Sequence, residues 1–156
     1  MTHLTRDQVR GIFTGKIQNW AEVGGPDLAV QVHIRDAISG THLGFKELAM
    51  NNEDYATHLK LHTNYVGIVT AVAAQPGGIG FSGLTSAQQT GVKPVAIDGV
   101  LPTRQTANDG TYPVARVLRF YTNKAKESPD TKRFIEFVLS SRGQSLLAEM
   151  DFAPRP

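Results

Sequence analysis

Along this chain the apolar positions change period several times, and each change marks an expected element. Val9, Ile12 and Phe13 fall at i, i+3 and i+4 behind Thr5, and Gln8 stands three residues past that threonine, the spacing of a capping box. The pattern predicts a helix that ends near Thr14-Gly15, where glycine takes the left-handed position after the last turn. A loop through Trp20 and Gly24-Gly25-Pro26 follows. Val30, Val32 and Ile34 then alternate with Gln31, His33 and Arg35, the period of a half-buried strand, which places His33 and Arg35 on one face. Ser39 reads as the N-cap of the next helix, whose apolar face is Phe45, Leu48 and Ala49. Residues 51–64 carry no clear period. Tyr65, Ile68, Val69 and Val72 define a third helical face, closed by Pro76-Gly77-Gly78. Ile79-Gly80-Phe81, Val95 to Ile97 and Val117 to Tyr121 read as short strands. Ser128-Pro129 opens a helix over Phe134, Phe137 and Val138, and Ser141 with Gln144 reads as a capping box before Leu146, Leu147 and Met150. Strands alternating with helices predict an α/β fold, a mostly parallel sheet flanked by helices with further helices at the C-terminus.

Composition narrows the function more than the fold. A chain of 156 residues is expected to form one domain, and 40% hydrophobic with 19% charged residues is ordinary globular usage. The charge balance, 16 basic against 14 acidic residues, is +2, too small a bias for a nucleic-acid partner. An anionic ligand would need local cations. With no cysteine there is no disulfide, thiol nucleophile or thiolate metal site. The longest apolar run, Val66 to Ala74, is interrupted by Thr70 and falls well short of the roughly 18 residues of a membrane span. The opening residues contain no apolar signal region, so a genuine start at Met1 would imply a cytoplasmic protein.

The most informative stretch is His33-Ile34-Arg35-Asp36-Ala37-Ile38-Ser39-Gly40-Thr41, read as strand, tight turn and helix start. The first N–H groups of a helix have no intrahelical partner, and the macrodipole favours negative charge there. Gly40 lacks a Cβ that would keep an anion from the backbone, Ser39 and Thr41 offer hydroxyl donors, and Arg35 offers a planar fork suited to a tetrahedral oxyanion. The competing reading is a capped turn with Arg35 a solvated cation. Other constellations are weaker. Gly78-Ile79-Gly80-Phe81-Ser82-Gly83 matches a dinucleotide fingerprint, but its glycines lie inside an expected strand, where packing or a bend explains them. Lys16 follows Gly15 without P-loop spacing. His58 and His62, four apart, read as a solvated helix surface, since a zinc site needs a third ligand and none is evident. There is no GxSxG elbow or paired-carboxylate motif, so neither enzyme chemistry nor a metal or cofactor is expected. Trp20, Tyr65 and Tyr112 read as core or turn anchors and His33 as a partly exposed strand residue. His42, in a first helical turn, reads equally as an aid to an anion or as surface.

Several segments resemble the phosphate-binding periplasmic proteins of ABC transporters. They are Leu4-Thr5-Arg6-Asp7-Gln8-Val9, Ile12-Phe13-Thr14-Gly15-Lys16-Ile17-Gln18-Asn19-Trp20, and Val23-Gly24-Gly25-Pro26. Arg35, Ser39-Gly40-Thr41 and Phe45 continue the pattern, as do Pro76-Gly77-Gly78-Ile79-Gly80-Phe81, Tyr112-Pro113-Val114-Ala115-Arg116 and Phe134 to Ser140 with Gly143-Gln144. The resemblance covers essentially the whole chain. It implies a periplasmic-binding-protein-like lobe over about 4–111 and, over about 112–156, a segment that in the family returns to the first lobe. It implies that Arg35, Ser39, Gly40 and Thr41 hold phosphate or a related oxyanion, delivered in the full-length context to a membrane permease, with a periplasmic or cell-surface location. Ala37 stands where some members carry an aspartate that accepts the proton of protonated phosphate, and Ile38 stands where glycine is frequent, so the choice among oxyanions is left open. Family members are longer, an N-terminal half-lobe preceding the Leu-Thr helix. Phe134, Phe137, Leu146, Leu147 and Phe152 are therefore expected to lack part of their cover, and a homodimer is expected. The alternative to oxyanion binding is a dimerising interaction module derived from such a protein.

Overall fold

The computed structural model describes residues 2–84, 86, 91–150 and 152–155. After a two-residue strand, β1 (His3–Leu4), helix α1 (Arg6–Phe13) starts where the capping box places it. Gln8 N donates to Thr5 Oγ1 at 3.1 Å, and Thr5 N donates to Gln8 Oε1 at 2.9 Å. A short 3-10 turn (Trp20–Val23) carries Trp20 into the core, where its indole N–H donates to the Gly77 carbonyl at 2.9 Å. Gly77 has a φ of +80°, and a Cβ on it would lie 2.3 Å from the Ala29 carbonyl oxygen, so only glycine fits this turn.

Strand β2 (Gln31–Arg35) runs through the centre of a three-stranded parallel sheet, with β3 (Lys60–His62) on one side and β4 (Gly78–Gly80) on the other. Helix α2 (Gly40–Met50) connects β2 to β3, and α3 (Tyr65–Ala74) crosses back over β2 to β4. In this order the crossover from β2 to β3 and the next one, from β3 to β4, run in opposite directions, which puts a switch point at the carboxyl ends of β2 and β3, where open α/β sheets bind ligands. A separate parallel pair joins β1 to β5 (Ala96–Ile97). Beyond it lie α4 (Arg104–Asn108), α5 (Pro129–Leu139) and α6 (Ser141–Glu149).

Both faces of β2 are covered, as a parallel strand requires. Val32 and Ile34 join Leu4, Val9, Ile12, Phe13, Ala49, Met50 and Ile97 in the main core. Burying each larger aliphatic side chain in this set contributes about 1.5–3 kcal/mol. Phe13, Phe45, Tyr55 and Phe81 form an aromatic cluster, with the Phe45 and Phe81 rings stacked 4.5 Å apart. On the opposite face His33 lies beneath α3 and is 1% exposed, which corrects its reading as a partly exposed residue. Gly80 packs so closely there that a Cβ would meet Ile68 Cγ2 at 2.6 Å and the His33 carbonyl at 2.7 Å, which accounts for its place in the glycine-rich run as packing.

Three expectations fail for identifiable reasons. Val117 to Tyr121 forms no strand: among the described residues no neighbouring strand completes a ladder with it, and Val117, Leu118, Phe120 and Tyr121 stand exposed. The cap of α6 is Ser140, whose Oγ accepts from Gly143 N at 3.2 Å. Ser141 is already helical, and the Gln144 amide turns to donate to the Val138 carbonyl at 2.7 Å. His58 and His62 share no helix; His62 belongs to β3 and His58 lies in the turn before it. Helix α5 buries none of its residues, and Phe134, Phe137 and Phe152 are exposed as expected, while Leu146 and Leu147 are half-buried against neighbours. No helix among the described residues is long and apolar enough to cross a membrane.

Candidate functional site

Arg35 is the last residue of β2, and its side chain is only 15% exposed. The guanidinium lies over the Tyr65 ring at 4.8 Å from the centroid, and Nη2 stands 3.5 Å from Asp36 Oδ1. Arg35 Nε and Asp36 Oδ1 are buried without a hydrogen-bond partner among the described residues. The turn that follows is held by backbone bonds, Asp36 N donating to the His62 carbonyl at 3.1 Å and Ser39 N to the Asp36 carbonyl at 3.1 Å. Parallel pairing of Arg35 with His62 sets the β2 end beside the start of α3, three residues further on.

Ser39 caps α2 as its sequence position predicts, Oγ accepting from Thr41 N at 3.3 Å. That interaction uses the oxygen as acceptor and leaves its hydroxyl proton to donate. Gly40 N–H meets no acceptor among the described residues, and Gly40 is exposed. The Thr41 hydroxyl bonds the Tyr65 hydroxyl, so the starts of α2 and α3 touch. Neither helix has an acid in its first turn. Two positive helix ends and a guanidinium thus converge on one place, opposed among the described residues by the carboxylate of Asp36.

His42 has a supporting role. Its Nδ1 stands 2.9 Å from the Arg35 carbonyl, and because a carbonyl only accepts, Nδ1 carries the proton and the ring holds the strand end from behind. The Tyr55 ring packs on His42 at 4.4 Å, and its hydroxyl donates to the His42 carbonyl at 2.8 Å. Burial raises the pKa of Tyr55 well above the ordinary phenol range, so this donor stays protonated.

All four residues selected from the sequence therefore meet at one site, and two residues were missed. Tyr65, expected to be an anchor, links Arg35 to Thr41; nothing local in the sequence signals this, since β-pairing creates it. Arg116 reaches α2 from 76 residues away and donates from Nη1 to the Gly40 carbonyl. The available signal was Gly40 and Gly44 at i and i+4, which leave a groove on one helix face. A cleft of about 220 Å3 lies near the opposite end of β2, lined by Ile12, Gly15, Gln18, Gln31 and His58 among others, but no arginine or lysine lines it.

Comparison with known proteins identifies the family. The model of the PBP superfamily domain matches residues 1–142. The phosphate-binding protein PstS of Borreliella burgdorferi is 31% identical over 97% of the chain, and that of Pseudomonas aeruginosa is 32% identical over 98%. The chain spans 58% and 54% of the length of these curated relatives. Among solved structures, a putative phosphate ABC transporter substrate-binding protein with bound phosphate from Clostridium perfringens superposes with a TM-score of 0.88 at 28% identity, over 99% of this chain and 67% of that one. An ABC-type phosphate transport receptor from Vibrio cholerae superposes with a TM-score of 0.85 at 30% identity, over 96% and 63%.

Proposed function

The chain belongs to the PBP superfamily domain family, and from that premise we propose that it binds phosphate or a similar tetrahedral oxyanion as part of the solute-binding component of an ABC transporter. The observation that carries this reading is the convergence of Arg35, Ser39, Gly40 and Thr41 on the switch point of the sheet, at a helix end with donors to spare. Arg35 supplies charge and a planar fork, Ser39 and Thr41 supply hydroxyls, and Gly40 lets the anion approach the backbone. The relatives named PstS and the phosphate-bound neighbour support phosphate in particular. The role is that of a non-enzymatic binder, placed in the periplasm or at the cell surface and handing its ligand to a permease. In this reading residues of about 4–111 form the anion-binding lobe, and those of about 112–156 belong to the segment that completes the neighbouring lobe.

Calorimetric titration with phosphate, sulfate, molybdate and tungstate tests the proposal. Saturable binding of phosphate is expected, weakened about tenfold or more by Arg35→Ala, the usual cost of a lost charge-assisted hydrogen bond. Absence of binding to all four anions at millimolar concentration would overturn it.

A second reading, a dimerising interaction module, is favoured by one observation. Val117, Leu118, Phe120 and Tyr121 together with Phe134, Phe137 and Leu139 expose apolar side chains within the C-terminal third, more than a scatter of single surface residues. A second copy of the chain is the partner expected there.

A further inference from the structure

Gly40 and Gly44 lie one turn apart on α2, and what fills the space their missing side chains leave is Arg116. A Cβ on Gly40 would stand 3.2 Å from Arg116 Nη2, and a Cβ on Gly44 would stand 2.8 Å from its Cδ and 2.9 Å from Nη1. The guanidinium donates to the Gly40 carbonyl, in the first turn of the helix whose start forms the anion site. No carboxylate among the described residues lies within 4.0 Å of it. A cation beside the positive end of a helix is electrostatically unfavourable unless an anion accompanies it.

We propose that Arg116 is a positioning residue of the anion site: it fixes the first turn of α2 through Gly40 and adds a second guanidinium charge beside the bound oxyanion. The inference rests on the oxyanion-binding reading above. It also gives the segment beginning at Tyr112 a physical link to the ligand, since Arg116 holds that segment against α2.

Phosphate titration of the full chain, with melting measured in anion-free buffer, compares wild type with Arg116→Gln, Arg116→Lys and Gly44→Ala. Arg116→Gln is expected to weaken phosphate about tenfold, while Arg116→Lys, which keeps the charge and a donor, recovers most of that loss. Gly44→Ala is the decisive variant. It leaves every charge in place and replaces a helical glycine by the best helix former, yet its methyl displaces the guanidinium. It is expected to weaken phosphate with anion-free melting unchanged or raised. Unaltered phosphate affinity in Arg116→Gln and Gly44→Ala, with wild type binding normally, would overturn the inference and leave the binding reading standing. Anion-free melting that falls in step with affinity in every variant would reduce Arg116 to a structural strut and overturn it as well. Failure of wild type to bind phosphate would overturn the binding reading and this inference together.

Discussion

Asp36 shows how much one residue's position matters. Its Oδ1 is buried, lies 3.5 Å from Arg35 Nη2 and has no hydrogen-bond donor among the described residues. A buried carboxylate oxygen without a donor is costly unless a ligand supplies one. Protonated phosphate carries an O–H at neutral pH and sulfate does not, so under the oxyanion-binding proposal Asp36 would accept from the first and repel the second. Asp36→Asn, with an NH2 available to donate, is expected to narrow the ratio of phosphate to sulfate affinity by about tenfold, chiefly by improving sulfate. Competition calorimetry with the two anions reads this directly, and an unchanged ratio would show that selectivity arises elsewhere. Ile38, in the same turn, is 91% exposed.

Between elements, the seam of β2 and β3 beneath α3 carries a histidine pair. His33 Nδ1 and His62 Nε2 stand 3.0 Å apart and share one proton, and a second proton would set two donors face to face. Lys60 on β3 adds positive charge nearby, Arg35 lies one residue pair along β2, Gln75 follows α3, and β4 offers only glycine and isoleucine. Burial first, then His62, holds the His33 pKa below its ordinary value of 6.5, and Lys60 acts in the same direction. The unfolded chain therefore binds this proton at higher pH than the folded one, and stability rises with pH through that interval. The stabilisation is complete above about pH 6.5 and is lost as pH falls toward the lowered native value. Urea midpoints are expected to drop between about pH 7.5 and about pH 5.5, and the drop should shrink in His33→Gln; equal drops in both proteins would exclude the pair as its source. Glu53, Asp54 and Asp109, all held below their ordinary values by hydrogen bonds from Lys16, Lys46 and Thr111, act in a separate and more acidic range.

For the whole molecule the decisive feature is unequal cover. The sheet, α1, α2 and α3 enclose a core, whereas α5 buries nothing and Phe120 packs edge-on to Phe134 at 5.7 Å on an otherwise open apolar surface. Light scattering at tens of micromolar is expected to give the mass of a dimer, reverting to monomer in Phe134→Asp with Phe137→Asp. A monomeric mass for wild type over that range would end the dimer reading and leave the oxyanion-binding reading to its own titration.

Much of this architecture was legible locally. The capping box at Thr5, the alternation around Ile34, the Ser39 cap and the face formed by Tyr65, Ile68 and Val69 all became the elements expected, because each is set by interactions within a few residues. Arg35, Ser39, Gly40 and Thr41 were found because strand, turn and helix start are contiguous in the chain. Strands obey a different rule, since they exist only as pairs. Lys60–His62 lacks an apolar pattern yet is a strand because β2 supplies its ladder, and Val117 to Tyr121 has the pattern but no partner. For the same reason the sequence could not place Tyr65 over Arg35, His62 against His33, or Arg116 in the groove of Gly40 and Gly44. Those contacts join residues 29 to 76 positions apart. Local spacing determined which residues make up the candidate anion site, and tertiary pairing alone decided which side chains surround it.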